Sequence, residues 1–201
     1  MLGLPETTAL RKIIPKKVLF AKYAMNTAEQ REFDNTIRQL AIVNEVSSRT
    51  IPALSSKPED KAIYVLAVQL KQASCDEKLI LKLLKLIDQR LILALSYEDK
   101  LQLALFHNKL IMDESRPASE KRLYLQGLTI NDVWDNIALS LAKIEAKEGQ
   151  SAQEAIAKDM ERASLLKEIE KLEKKMWSER QPKKKLELRE QIIVLKQKLE
   201  E

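Results

Sequence analysis

The feature that most constrains this chain is a mirrored pair of apolar stripes near its end. Leu165, Ile169, Leu172 and Met176 advance by four, three and four positions, and Leu188, Ile192, Leu195 and Leu199 repeat those steps. Paired from the outside in (Leu165 with Leu199, Ile169 with Leu195, Leu172 with Ile192, Met176 with Leu188), every pair is centred on Pro182. A coiled-coil spacing reflected about a proline specifies two antiparallel helices joined by a short turn. Two such helices have too little core to house an enzyme. Residues 150–201 are therefore expected to form an arm with its turn near Pro182, attached to a body formed by residues 1–149. Glu173 with Arg189 and Glu168 with Lys198 are the expected flanking ion pairs, each worth about 0.5 kcal/mol.

The arm also carries the charge. Residues 174–189 hold seven bases, Lys174, Lys175, Arg180, Lys183, Lys184, Lys185 and Arg189, against the two acids Glu179 and Glu187. The difference equals the whole formal charge of +5, so the rest of the chain is balanced. Cations at this density neutralise phosphates, with Trp177 as a stacking face and Arg180 as a planar fork. These eight residues, the seven bases and Trp177, are the candidate contacts to DNA or RNA. The competing account is a solvated helix end whose charges keep a narrow pair of helices from associating.

Composition removes several classes of function. The 201 residues suffice for one core plus an appendage. Only Gly3, Gly127 and Gly149 are glycines, which argues against phosphate loops that need several at close spacing. A single cysteine, Cys75, precludes an intramolecular disulfide and multi-cysteine metal sites and fits a reducing, cytoplasmic setting. No run approaches the roughly 20 apolar residues of a membrane span, so no membrane association is expected. Neither a cofactor nor a bound metal is expected.

Along the body, Thr27 to Gln30 reads as a capping box, and Phe33, Ile37, Leu40, Ala41 and Asn44 continue it as a helix to about Asn44. Ser47 to Asp60 is a loop with a short strand at Thr50-Ile51. Ala62 to Lys71 is a strand, Asp76 to Asp88 an amphipathic helix, and Arg90 to Tyr97 and Leu101 to Phe106 a hairpin turning at Glu98-Asp99-Lys100. The first two of these strands can run parallel through the helical crossover. Another short strand is expected at Leu123 to Leu125. Thr129 with Asp132 caps a helix to about Ala146, stopped by Gly149. The fold class is α+β: a small, mainly antiparallel sheet with flanking helices, plus the C-terminal antiparallel helical hairpin.

Gln69-Leu70-Lys71, with Glu59 and Asp60 upstream, is the one candidate catalytic group. Restriction-type nucleases place an acid, a spacer and a lysine on such a strand, where carboxylates hold a metal and the lysine helps activate water. Here glutamine replaces the acid and the upstream carboxylates fall in a proline loop, so a strand ending in a solvated lysine is the simpler account. His107, the only histidine, reads as a loop residue. Cys75 reads as a small residue tucked at a helix start, where a dipole could lower its pKa. Asp132 and Asp135 lie three apart on one helix, the first already committed to capping.

The motifs Leu2-Gly3-Leu4-Pro5, Ile14-Pro15-Lys16 and Arg180-Gln181-Pro182-Lys183-Lys184-Lys185-x-Glu187-Leu188 resemble those of an uncharacterised bacterial family, filed as a domain of unknown function. That resemblance implies a short N-terminal motif, a mixed body and a lysine-rich coiled-coil tail. It also implies gene neighbours such as helicases and DNA methyltransferases of restriction-like defence loci, and it carries over no catalytic residue. The leading reading is a non-catalytic accessory protein that docks a protein partner, or a second copy of itself, through the arm. The alternatives are a nucleic-acid-binding module using the basic tip, and a metal-dependent nuclease or a degenerate relative of one.

Overall fold

The computed structural model describes residues 2–55, 57, 59–146 and 150–200. The chain divides into two compact units, Met1–Glu145 and Ala146–Glu201. The first is built on one open, mostly antiparallel seven-stranded sheet. Its strands are β1 (Ala9–Ile13), β2 (Ile37–Val46), β3 (Ile63–Leu70), β4 (Arg90–Tyr97), β5 (Lys100–His107) and β6 (Lys109–Met112), adjacent in that order. The short β7 (Arg116–Pro117) also pairs with β5. The helices are α1 (Lys16–Lys22), α2 (Thr27–Thr36), α3 (Glu77–Leu84) and α4 (Ile130–Ala142).

Within this sheet β3 and β4 are the parallel pair, in register from Ile63 opposite Arg90 to Gln69 opposite Ser96, with α3 as the crossover between them. Both faces of this pair are covered. Leu66, Val68, Leu91, Leu93 and Leu95 join Leu19, Phe33, Ile80 and Leu83 from α1, α2 and α3 in one core. The alternate residues Ile63, Val65, Ile92 and Ala94, with Leu101, Leu103 and Leu105 of β5, are buried on the opposite face. There α4 contacts β5 and β6, burying Val133, Trp134, Ile137 and Leu141. Two-sided burial explains why β4 reads as the unbroken apolar run Leu91 to Leu95 rather than as an alternation.

The largest departure from the sequence expectation lies between Phe33 and Asn44. The apolar repeat there does not continue as one helix: α2 ends at Thr36, and Ile37 opens β2. Strand β2 hydrogen-bonds to β1 on one side and β3 on the other. Those ladders, together with the β-branched Ile42, Val43 and Val46, outweigh a helical period that few residues support. The cap also shifts by one residue. Asn26 is the N-cap, its side chain accepting from the Ala28 and Glu29 amides while the Glu29 carboxylate accepts from Asn26 N–H.

Other boundaries moved for local reasons. Helix α4 begins at the Thr129–Asp132 capping box but stops at Ala142, where Lys143 adopts a left-handed conformation (φ 57°). The expected stop at Gly149 lies outside the described residues. Thr50-Ile51 is a turn closed by Ile51 N–H donating to the Ser47 carbonyl at 2.9 Å. Leu123 to Leu125 forms no strand, although Leu123 N–H donates to the Leu2 carbonyl at 2.9 Å. Before α4, Gly127 sits at φ 130°, and a Cβ there would lie 2.5 Å from Asp132 Cβ, so only glycine fits.

The second unit consists of α5 (Ala152–Ser178) and α6 (Pro182–Glu200), which pack against each other. Ser151 and Glu154 form a capping box at the start of α5. Of the eight stripe residues, Ile169, Leu188 and Ile192 are buried, and Leu165, Leu172, Met176, Leu195 and Leu199 are half-buried. Pro182 is not the midpoint of the turn but the first residue of α6, where its missing N–H costs nothing. The cross-hairpin ion pair is Lys196 with Glu173, 2.8 Å apart, instead of either pair expected above. Both residues immediately follow a seam leucine, Leu195 and Leu172. In an antiparallel pair such equivalent flanking positions meet across the seam. Among the described residues, no helix is long and apolar enough to cross a membrane.

Candidate nucleic-acid interface

The turn between α5 and α6 consists of residues 179–181 and is held by one side chain. Glu179 Oε1 accepts from the backbone N–H groups of Arg180 and Gln181, both at 2.9 Å. The Gln181 amide is the main cause that lowers the Glu179 pKa, and Lys184 and Lys175 act on it in the same direction. Glu179 therefore stays ionised and is committed to the backbone of the turn. It is not free to cancel the cations around it.

All eight candidate contacts, Lys174, Lys175, Trp177, Arg180, Lys183, Lys184, Lys185 and Arg189, are exposed. Lys174 pairs with Glu170 one helical turn back, 2.6 Å apart. The other six bases form no ion pair among the described residues. Like charges crowded on one helix end repel one another, and a bound polyanion relieves that repulsion. Trp177 points out of the hairpin and is 77% exposed, with Lys185 Nζ 5.8 Å from its ring centroid. The second tryptophan, Trp134, is buried. An aromatic face beside an ammonium suits stacking on a base with its phosphate close by.

The nuclease candidates are not brought together. Gln69 and Lys71 lie at the carboxyl end of β3, and Lys71 Nζ donates to the Asp34 carbonyl at 2.5 Å. Asp60 lies beyond the other end of that strand, accepting from the Lys57 amide at 2.7 Å and from Asn131 Nδ2 at 2.9 Å. The strand between them spans roughly 25 Å at about 3.3 Å per residue. One metal cannot serve both ends. Among the described residues, no group of three or more His, Cys, Asp or Glu is placed to hold a metal ion.

Two lone residues acquire neighbours that the sequence does not show. His107 is the last residue of β5 rather than a loop residue, with Nε2 2.8 Å from Asp135 Oδ1 and its ring stacked on Trp134 at 6.3 Å. Sequence separation hid this pair, since strand and helix ends meet only in the fold. Burial pushes the Cys75 thiol up to about 11, with Asp76 raising it further, the opposite of the lowering that a helix start alone would give. A polar group that sequence reasoning missed sits at the end of β2, where Arg49 donates to both oxygens of the buried Glu45 carboxylate at 2.8 Å and Ser47 donates at 3.0 Å. The i to i+4 spacing of Glu45 and Arg49 was its one legible signal.

No curated protein matches this chain, and no solved structure matches it either. One protein-family model, described as "Domain of unknown function (DUF4391)", matches residues 2–199, nearly the whole of both units, and on that match the chain belongs to this family.

Proposed function

We propose that this protein is a non-catalytic accessory component of a bacterial DNA-processing or phage-defence system, acting in the cytoplasm, and that its arm binds nucleic acid through the basic tip. The observation that supports this reading is the coincidence, at one hairpin end, of six bases without an ion pair and the exposed Trp177. A purely solubilising helix end needs the charge but gains nothing from an exposed indole. The seam is filled within the hairpin, which leaves the tip as the chemically distinctive surface of the arm.

The test is salt-dependent binding to DNA and RNA, measured by fluorescence anisotropy for the wild type and for Lys183→Glu/Lys184→Glu/Lys185→Glu. Wild-type affinity is expected to fall steeply with salt, with a log–log slope of about −3 or steeper. The variant is expected to lose most of the affinity and about three of that slope. Salt-insensitive binding, or a variant that binds as well as the wild type, overturns the reading.

A second reading, docking of a protein partner, has its own observation. On the outer side of α6, Leu186 is 57% exposed, Ile193 47% and Val194 52%, an apolar strip that the hairpin does not use. The occupant that needs no further assumption is the same strip of a second copy. Sedimentation equilibrium should then show dimers that Ile193→Glu dissociates, and a monomer at all concentrations removes self-association.

A further inference from the structure

We propose that the cleft at the carboxyl end of the parallel β3–β4 pair binds a phosphate monoester, with Arg38 and Lys71 as its cationic side. This goes beyond the arm, and it depends on neither reading above.

The cleft follows from how the side chains change along the sheet. On the face toward α4, β3 runs Ile63, Val65, Ala67, Gln69, and β4 in register runs Ile92, Ala94, Ser96. The row begins with large apolar side chains and ends with small and polar ones. Packing therefore closes at the amino end of the pair and opens at the carboxyl end. A cavity of about 490 Å³ lies there, lined by Arg38, Gln69, Lys71, Ser96, Tyr97 and Glu98 around Leu70. That volume is in the range of small-ligand sites, and ligands of sheets with parallel strands bind outside their carboxyl ends.

Its electrostatics favour an anion on one side. Arg38 lies where the β2–β3 register shifts between Ile37 and Gln39, an irregularity that leaves both Arg38 and Gln39 exposed. Its guanidinium has no ion pair or hydrogen bond among the described residues. Lys71 donates only to a backbone carbonyl, that of Asp34, while the Asp34 carboxylate is taken by Lys16 at 2.7 Å. Two bases from neighbouring strands thus share a cleft with no carboxylate paired to either. A phosphate monoester offers the oxygens that a planar guanidinium and an ammonium recognise. Glu98, at φ 53° in the β4–β5 turn, lines the same cleft and would repel a second phosphate. It is suited instead to accept from hydroxyl or amino groups. The ligand chemistry that satisfies both sides is a nucleotide: phosphate toward Arg38 and Lys71, sugar or base toward Glu98 and Tyr97. Two sources carry such a phosphate, a free nucleotide and the 5′ end of a nucleic acid strand.

Isothermal titration calorimetry on the full chain separates these sources. The probes are adenosine 5′-monophosphate, adenosine, inorganic phosphate, and a short oligonucleotide with and without a 5′-phosphate. The oligonucleotides are titrated into Lys183→Glu/Lys184→Glu/Lys185→Glu so that the arm does not contribute. The nucleotide is expected to bind and adenosine to bind at least tenfold more weakly. Arg38→Ala and Lys71→Gln, both at exposed positions, should each weaken nucleotide binding by about tenfold with an unchanged melting temperature. Binding of the 5′-phosphorylated strand but not of its unphosphorylated twin assigns the phosphate to a strand end. If neither the nucleotide, inorganic phosphate nor the phosphorylated strand binds, the proposal is overturned. It is equally overturned if binding is the same in both variants, or if adenosine binds as well as its monophosphate.

Discussion

Replacing Ile192 with aspartate is expected to open the hairpin at a cost of about 3–5 kcal/mol, because a carboxylate would enter one of the buried positions of a short apolar seam. Ile169, Leu188 and Ile192 are the seam residues with the least exposure, 5%, 8% and 5%. The rest of the seam is half-buried and has little surplus to offset the loss. Amide hydrogen exchange reads the effect directly: protection over residues 165–199 should collapse toward that of a free peptide. Gln191→Asp is the matched control. One position along the same helix, Gln191 is exposed, and its substitution should leave protection in the arm unchanged. Equal effects from both variants would contradict the mirrored-seam assignment.

The other large effect belongs to a pair that looks ordinary in the sequence. Lys121 and Asp113 form an ion pair with side chains only 8% and 16% exposed. Asp113 also accepts the Leu103 amide of β5 at 2.8 Å, and Lys121 donates to the Glu114 carbonyl at 2.6 Å. Asp113→Ala would strand a buried ammonium and a strand amide together. The expected cost is about 3–5 kcal/mol, a fall in melting temperature of roughly 10 °C. Removing both charges with Asp113→Leu/Lys121→Met should recover most of that loss, because the penalty comes from the unpaired ion rather than from the missing attraction. Urea unfolding of the two variants checks this. A single variant within about 0.5 kcal/mol of the wild type would show that water reaches the site.

The legible parts of the fold share one property: the interactions that made them were local or repeated. Strand β3, the β4–β5 hairpin, the α4 capping box and the antiparallel helices of the arm each announce themselves through spacing within a few turns or residues. At Ile37 to Val46 a weak helical period gives way to pairing with β1 and β3, residues far away in sequence. Strands β1, β6 and β7 were missed for the same reason, since two to five residues carry little pattern of their own. The candidate sites divide likewise. The basic tip is contiguous along the chain and could be read residue by residue. The cleft of Arg38 and Lys71 draws on three strands, and the His107–Asp135 pair joins a strand end to a helix.

The sequence by itself determined the class of the fold, the helical pair of the arm and the place where the net charge collects, because heptad spacing and charge runs act over distances the chain spans locally. Only the tertiary structure decided that His107 meets Asp135, that Asp113 and Lys121 are buried together, and that the parallel pair ends in an open cleft. Those outcomes depend on which strands become neighbours, and that choice is made by burial on both faces of the sheet rather than by any local preference of the residues concerned.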